Sequence, residues 1–170
     1  MTYYTTTFDS PCGPLLCVVD EAGAVVRIEF YKDGYSQRVV ERLRAKGAEI
    51  VEDASRTAEV RRQLAEYFAG ERRDFELALA PEGTPFERAV WAELSKIPFG
   101  ETRSYGEIAA ILGRPGAARA VGRANGANPI PIVVPCHRVI GADGSLTGFG
   151  GGLGVKSRLL ELEGRALPFG

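Results

Sequence analysis

The segment from Asn128 to Ile140 carries the residues of this chain that are best suited to covalent chemistry. It passes through three prolines and an apolar stretch into Cys136, which is followed directly by His137 and Arg138. Burial raises the pKa of a thiol, whereas a neighbouring imidazole or guanidinium favours the thiolate. His137 is the only histidine in the chain. Because prolines disfavour a central strand and fix the backbone, the segment predicts a placed nucleophile rather than a core cysteine beside a surface pair.

The other two cysteines, Cys12 and Cys17, are predicted to be structural. Three cysteines are too few and too unevenly spaced for a disulfide framework. A closed zinc site needs four ligands, and the single histidine lies beside Cys136. We therefore expect neither a metal nor another cofactor.

Composition places the chain among soluble globular proteins. It has 170 residues, of which 45% are hydrophobic and 25% are charged, and this is enough for one or two small domains. No apolar run approaches the ~18 residues that a membrane span needs. The first residues lack the charged start and apolar core of a signal peptide, so we expect a cytoplasmic protein with no membrane partner.

The net charge of −1 hides an uneven distribution along the chain. Residues 1–100 carry 13 Lys and Arg against 17 Asp and Glu, whereas residues 101–140 carry five arginines against two glutamates. A basic surface on an otherwise acidic protein is typical of a polyanion-binding site. The five arginines are Arg103, Arg114, Arg119, Arg123 and Arg138.

The first 83 residues are predicted to form a small β-rich domain. Alternating apolar residues between Gly- and Pro-containing turns predict three strands, and two helical patterns end at glycines. Residues 71–83 are charged at their start and end in Pro-Glu-Gly, which is typical of a linker. The predicted strands are Thr2–Phe8, Leu15–Val19 and Val25–Phe30, the helices are 37–46 and 57–69, and the domains are 1–83 and 84–170.

Two capping boxes mark helix starts in the second domain. Thr84 and Ser104 are each followed by glutamate three residues later. Trp91 is predicted to lie in the core. The helix that begins after Ser104, a Gly-containing turn and a helix over 117–124 together have the helix-turn-helix layout.

The second helix of this unit lacks side chains that discriminate base pairs. Residues 117–124 contain arginine and small residues but no Asn, Gln, Lys or Glu. Small residues permit a close approach of the backbone, and arginines bind phosphates. The pattern predicts DNA binding with little sequence preference and argues against a sequence-specific regulator; a plain helical hairpin in the core is the alternative.

Three neighbouring features together resemble one known family. They are the block Pro135-Cys136-His137-Arg138-Val139, the helix-turn-helix before it, and the Gly-rich loop and Leu-Glu-rich helix after it. They are similar to the methylated-DNA–protein-cysteine methyltransferases, the O6-alkylguanine-DNA alkyltransferases. The resemblance is strongest over residues 84–164. It implies an α+β fold with a small β-rich N-terminal domain and a mostly helical C-terminal domain that carries the chemistry.

The resemblance also implies a role for each matching residue. Cys136 accepts the alkyl group, and His137 and Glu163, bridged to the thiol through a water, generate the thiolate. Tyr105 protonates the departing guanine, and Arg119 fills the gap left by a flipped nucleotide. The implied DNA-binding residues are Arg119, Ala118, Ala120, Gly122, Asn128 as a hinge, and Arg138; the implied substrate pocket is Val139, Phe149, Gly150 and Gly151.

Two departures from the family pattern stand out. Phe149 occupies a position where relatives often carry tyrosine, so one pocket hydroxyl is missing. The metal-ligating histidines of some relatives are also absent.

The predicted activity is the transfer of an alkyl group from O6-alkylguanine in double-stranded DNA to the protein's own cysteine; the sequence leaves open whether O4-alkylthymine is repaired as well. A thiolate is the soft nucleophile that this needs. The target carbon is hidden in the duplex, so the base must be flipped out. The thioether product is stable, so each molecule, expected to be a monomer, reacts once.

Two other functions are alternatives for a chain with this Cys-His pair. A papain-like hydrolase would bring its histidine from far along the chain, and a non-enzymatic sensor of alkylated DNA would not need Cys136. If residues 136 and 137 are extended, their side chains point to opposite faces, and His137 contacts the thiol only indirectly.

Overall fold

The computed structural model of the chain describes residues 1–31, 34–146 and 152–164. The chain divides into two units, Met1–Pro81 and Glu82–Gly170. The first contains a four-stranded sheet, and the second is mostly helical. The predicted α+β class is therefore confirmed. Within the described part of the chain, no helix has the length and apolarity needed to span a membrane.

The sheet of the first unit contains the three predicted strands and one more. The three predicted strands are β1 (Thr2–Phe8), β2 (Leu15–Val19) and β3 (Val25–Phe30). β2 pairs antiparallel with β1 and with β3, as the short turns between them predict. β4 (Glu49–Glu52) pairs parallel with β1, and the strand order is β3-β2-β1-β4. The sequence analysis missed β4 because its glutamates leave only two apolar residues, too few for a pattern.

Within its described residues, the first unit also contains two α-helices. α1 (Tyr35–Ala45) supplies the crossover that brings β4 parallel to β1, and α2 (Ala58–Phe68) follows a short 3-10 turn. Both lie within two residues of the predicted bounds. The predicted linker is partly held by the sheet: the Val25 N–H donates to the Ala78 carbonyl, and the Ala80 N–H donates to the Val25 carbonyl, both at 2.8 Å.

The second unit contains four α-helices in its described residues. These are α3 (Pro85–Leu94), α4 (Tyr105–Ile111), α5 (Ala118–Gly126) and α6 (Leu153–Leu162). Both predicted capping boxes are present, since the Thr84 and Ser104 hydroxyls accept from the backbone N–H of Glu87 and Glu107. α4 and α5 form the predicted helix-turn-helix, and α5 extends two residues further than predicted.

Two contacts inside this unit position the segment Cys136–Arg138. Trp91 is buried as predicted, and its Nε1–H donates to the Ala124 carbonyl at 2.8 Å, which ties α3 to α5. β5 (Arg103–Ser104) pairs parallel with β6 (Val139–Ile140). Because β5 leads directly into α4 and β6 directly follows Cys136–Arg138, this pair places the start of α4 beside the reactive residues.

Candidate active site

The reactive residues form a tight turn rather than an extended segment. Cys136–Arg138 is a single 3-10 turn between Pro135 and β6. The Cys136 N–H donates to the Val134 carbonyl at 2.8 Å across Pro135, whose φ and ψ are −80° and 65°, which is an inverse γ-turn. The Arg138 N–H then donates to the Pro135 carbonyl at 3.0 Å. The conditional expectation of extended backbone at 136 and 137 is therefore wrong, because proline sets the turn.

The backbone before this turn is strained at Ile132. Its φ is 73°, a left-handed value that β-branched residues rarely adopt. The Val133 N–H donates to the Pro131 carbonyl across it at 2.9 Å, and the side chain is buried. Such a residue costs of order 1–3 kcal/mol and persists only where its surroundings hold it. The run of prolines and buried apolar side chains provides that constraint.

Asn128 holds the segment from the C-terminal side of α5. Its Nδ2–H donates to the Val134 carbonyl at 2.8 Å, and its Oδ1 accepts from the Ile130 N–H at 3.0 Å. Both ends of the amide are thus bonded to the backbone that leads into Cys136. The hinge role that the family resemblance implies for Asn128 stays a prediction.

His137 is completely buried and paired with Glu163. Its Nε2 lies 2.7 Å from Glu163 Oε2. Because an ionised carboxylate only accepts, Nε2 carries the proton and Nδ1 is left as an acceptor. Nδ1 has no hydrogen-bond partner among the described residues. Burial lowers the pKa of His137, against the opposing effect of Glu163, so the ring is neutral at pH 7 and able to take a proton.

Arg138 is buried and bonded to Glu163, which corrects its predicted place among the DNA-binding residues. Its Nε donates to Oε1 of Glu163 at 2.8 Å and its Nη2 to Oε2 at 3.0 Å, while Nη1 donates to the Ile97 carbonyl at 2.7 Å. This forked pairing compensates a carboxylate at the C-terminal end of α6, where the helix dipole is unfavourable. Arg138 thus fixes the position of Glu163, which is in turn hydrogen-bonded to His137.

Lys156 is a buried cation of the site that the sequence analysis missed. Its Nζ donates to the Val139 carbonyl at 2.5 Å and lies 5.9 Å from the centre of the Tyr105 ring. Burial lowers the pKa of Lys156 to about 8, and the charge of Cys136 acts in the opposite direction. The sequence does contain a signal, since Lys156 and Glu163 flank the leucines of one helical face. The face comprises Lys156, Leu159, Leu160 and Glu163.

Cys136 is a protonated thiol at rest. Burial raises its pKa to about 11, while a hydrogen bond from the Asn128 side chain and the charge of Lys156 lower it. The direction of this shift is the one expected for a thiol in an apolar setting. A reactive thiolate therefore requires that a proton acceptor be supplied, and His137 is the buried base in the adjacent position.

The remaining predicted DNA-binding residues lie along α5. Arg119 is exposed, and Ala118, Ala120 and Gly122 are half-buried. A Cβ at Gly122 would lie 3.8 Å from the Tyr105 ring, so α5 and the start of α4 are in close contact there. Small residues on this helix thus serve its packing as well as its surface.

The predicted pocket is only partly covered by the structure. Val139 is fully buried, and its carbonyl accepts from Lys156. Phe149, Gly150 and Gly151 lie outside the described residues. The described residues include no group of three or more His, Cys, Asp or Glu side chains that could hold a metal ion.

The sequence matches two described domains of one family. Residues 85–165 match the 6-O-methylguanine DNA methyltransferase DNA-binding domain, and residues 2–81 match its ribonuclease-like domain. The methylated-DNA–protein-cysteine methyltransferase of Methanosarcina acetivorans is 50% identical over 161 residues, covering 95% of this chain and 98% of that protein. The Salmonella typhimurium protein of the same name is 50% identical over 161 residues, covering 93% and 94%.

Solved structures agree with these matches. The crystal structure of Mycobacterium tuberculosis O6-methylguanine methyltransferase has a TM-score of 0.85 at 46% identity, over 98% of this chain and 96% of that one. The M. tuberculosis OGT protein in complex with DNA has a TM-score of 0.82 at 45% identity, over 99% and 96%. The match to a DNA-binding domain, and the relative solved in complex with DNA, indicate that DNA is the partner. This chain belongs to the 6-O-methylguanine DNA methyltransferase family.

Proposed function

We propose that this chain repairs DNA directly, by moving the alkyl group of O6-alkylguanine onto the Sγ of Cys136. The observation that carries the proposal is the buried Cys136 beside a neutral His137 that is held by Glu163. This arrangement lies in the domain that matches the DNA-binding domain of the family. A base, an orienting acid and a nucleophile in this order are the parts that an activated thiol needs.

The first step is removal of the thiol proton. The proton passes from Sγ through a bridging water to Nδ1 of His137, whose Nε2–H already faces Glu163. The imidazolium that forms is stabilised by the Glu163 carboxylate. The thiolate in turn is stabilised by the Asn128 amide and by the charge of Lys156. Charge is therefore separated between groups that are already placed to receive it.

In the transfer step, the thiolate attacks the alkyl carbon attached to O6. A sulfur–carbon bond forms, the carbon–oxygen bond breaks, and its electron pair goes to the guanine. The ring nitrogen then takes a proton from the Tyr105 hydroxyl, and Tyr105 recovers one from the imidazolium of His137. The net products are guanine and a Cys136 thioether, with the thiol proton now on the base. Since a thioether is not readily hydrolysed by water, each molecule reacts once.

The substrate is double-stranded DNA, read with little sequence preference. Arg119 is exposed on α5, where it can occupy the space left by a nucleotide turned out of the stack. The proposal includes a monomer as the active species and the cytoplasm as its location. Reaction with O4-alkylthymine remains a prediction of the family resemblance.

The alternative of a non-enzymatic sensor is not favoured. It would have no use for a buried thiol with a placed base, and the relatives at 50% identity over nearly the whole chain are named as cysteine methyltransferases.

The test is to incubate the protein with a duplex that contains one O6-methylguanine and to map the product by peptide mass analysis. One methyl group per protein molecule on the peptide with Cys136 is expected, with Cys136→Ser as the control that stays unlabelled. A methyl group on Cys12 or Cys17, or more than one guanine restored per protein molecule, would contradict the proposal.

A further inference from the structure

Asn125 is a buried amide on α5 that reaches the reactive residue. Its side chain is 1% exposed, and its Nδ2–H donates to the Cys136 carbonyl at 3.3 Å. Burying an amide is costly unless it is hydrogen-bonded. The sequence analysis did not select this residue, because an asparagine near a helix end is common.

The backbone before Cys136 and the backbone after it are each held at a carbonyl that accepts two hydrogen bonds. The Val134 carbonyl accepts from the Cys136 N–H and from the Asn128 amide. The Cys136 carbonyl accepts from the Val139 N–H and from the Asn125 amide. Each carbonyl thus has one bond within the local turn and one from an asparagine side chain, Asn125 near the end of α5 or Asn128 two residues after it. The Cα of the nucleophile lies between these two held carbonyls, so together they set the direction of its side chain.

α5 also connects this contact to the surface that bears Arg119. Arg119 and Asn125 are six residues apart on one continuous helix, which is about 9 Å along its axis. Ala124, the residue before Asn125, is held to α3, because its carbonyl accepts a hydrogen bond from Trp91 Nε1. The Cys136 carbonyl is therefore hydrogen-bonded to the same helix that carries Arg119.

We propose that Asn125 is a positioning residue for alkyl transfer, which aims the Cys136 thiol by holding its carbonyl to α5. The inference rests on the proposed function and adds a residue to it. Asn125 does not take part in proton transfer, which belongs to His137 and Glu163. Its loss therefore slows the reaction at every pH without moving the pH at which the rate rises. A misplacement of about 1 Å can cost on the order of 100-fold in rate.

The experiment compares Asn125→Leu, which keeps the volume and removes the donor, with Asn125→Ala and the parent protein. Single-turnover rates are measured from pH 6 to pH 9 with an O6-methylguanine duplex and with free O6-benzylguanine. The Kd for duplex DNA and the folded fraction are measured separately. Gln63→Leu is the matched control, because Gln63 is a buried amide in the first unit that donates to the Glu76 carbonyl at 3.1 Å.

We expect both Asn125 variants to react roughly 10- to 100-fold more slowly with both substrates. Their pH midpoint should be unchanged and their DNA Kd within about twofold of the parent value, while Gln63→Leu keeps the parent rate. Parent-like rates in the Asn125 variants, a shifted midpoint, or a weakened Kd with a normal free-base rate would each overturn the proposal. So would loss of folding in both Asn125 variants but not in Gln63→Leu. Failure of the parent protein itself to label Cys136 would instead count against the proposed function.

Discussion

Cys17 and Cys136 are both buried thiols, one in each unit, and the comparison separates a core cysteine from a nucleophile. Burial raises the pKa of Cys17 to about 12, opposed only by the charge of Arg61. Burial raises the pKa of Cys136 to about 11, opposed by the Asn128 hydrogen bond and the charge of Lys156. The two resting values are similar, so a depressed pKa is not what distinguishes the nucleophile.

The difference lies in what surrounds each thiol. Cys17 is in the middle of β2, between paired strands. Cys136 is in a turn, next to a neutral buried imidazole and near a buried amine. A thiol of this kind is protected while at rest and is ionised only when a base and a cation act on it together. Reactivity here is a property of the surroundings rather than of burial.

The largest expected effect comes from exchanging the two cysteines for residues that cannot accept an alkyl group. Cys136→Ala should abolish transfer and leave DNA binding largely intact, because the nucleophile is lost while α5 is not touched. Cys17→Ala should leave transfer unchanged and lower the free energy of unfolding by about 1 kcal/mol through the lost packing. Labelling with methylated DNA and denaturant unfolding measure the two effects. Methyl transfer by Cys136→Ala would remove the distinction between the two thiols.

The next effect concerns the base. His137→Phe and Glu163→Gln should slow transfer at pH 7 by roughly 100-fold or more, the range of general-base catalysis. The pKa of Cys136 is raised to about 11, so a variant without the base forms the thiolate only as pH rises toward that value. Both defects should therefore shrink as pH increases. Rate profiles with pH for the parent and the two variants test this, and unshifted profiles would mean that the thiolate arises in another way.

Arg119→Ala should separate base extrusion from the chemistry at Cys136. Extruding a base costs a few kcal/mol, so we expect repair of duplex DNA to fall by on the order of 10- to 100-fold. Reaction with free O6-benzylguanine should stay near the parent rate, since that substrate needs no extrusion. Equal slowing with both substrates would place Arg119 outside this step.

Lys156→Met should have a smaller effect that depends on pH. Removing the cation raises the pKa of Cys136, and each unit of pKa corresponds to about tenfold in thiolate fraction. The pKa of Lys156 is lowered to about 8, so the parent protein itself loses this charge as pH rises above that value. The defect should therefore be largest below pH 8 and diminish above it. A defect of constant size from pH 6 to pH 9 would indicate that Lys156 acts only through its bond to the Val139 carbonyl.

The smallest expected effect is that of a chelator. The described residues offer no cluster of metal ligands, and the sequence predicts a metal-free protein. Dialysis against EDTA should leave the thermal midpoint and the rate unchanged. Stoichiometric zinc in the purified protein, with stability lost on chelation, would contradict the prediction.

Much of the site could be read from local sequence. The Pro-Cys-His-Arg-Val block pointed to Cys136 as the candidate nucleophile, and the capping boxes at Thr84 and Ser104 located two helix starts, since both signals act within a few residues. The alternation of apolar residues located β1, β2 and β3 for the same reason. In these cases the residues that determine the structure are neighbours along the chain.

Contacts between distant residues were decided only by the tertiary structure. β4 exists because the α1 crossover brings Ile50 opposite Tyr3, and no local pattern announces it. The family resemblance placed Arg138 among the DNA-binding residues; only the fold shows that Glu163, 25 residues later, is bonded to its guanidinium. A charged side chain is read correctly only when its partner is known.

Lys156 is a second charged residue whose environment could not be predicted from the sequence. Its position on the leucine face of α6 could be seen in the sequence, but its burial against the Val139 carbonyl could not. The sequence determined which residues could do the chemistry, because nucleophile and base are adjacent. The tertiary structure decided their protonation and direction, because these depend on burial and on hydrogen bonds with Asn125, Asn128 and Glu163 that span 6 to 26 residues.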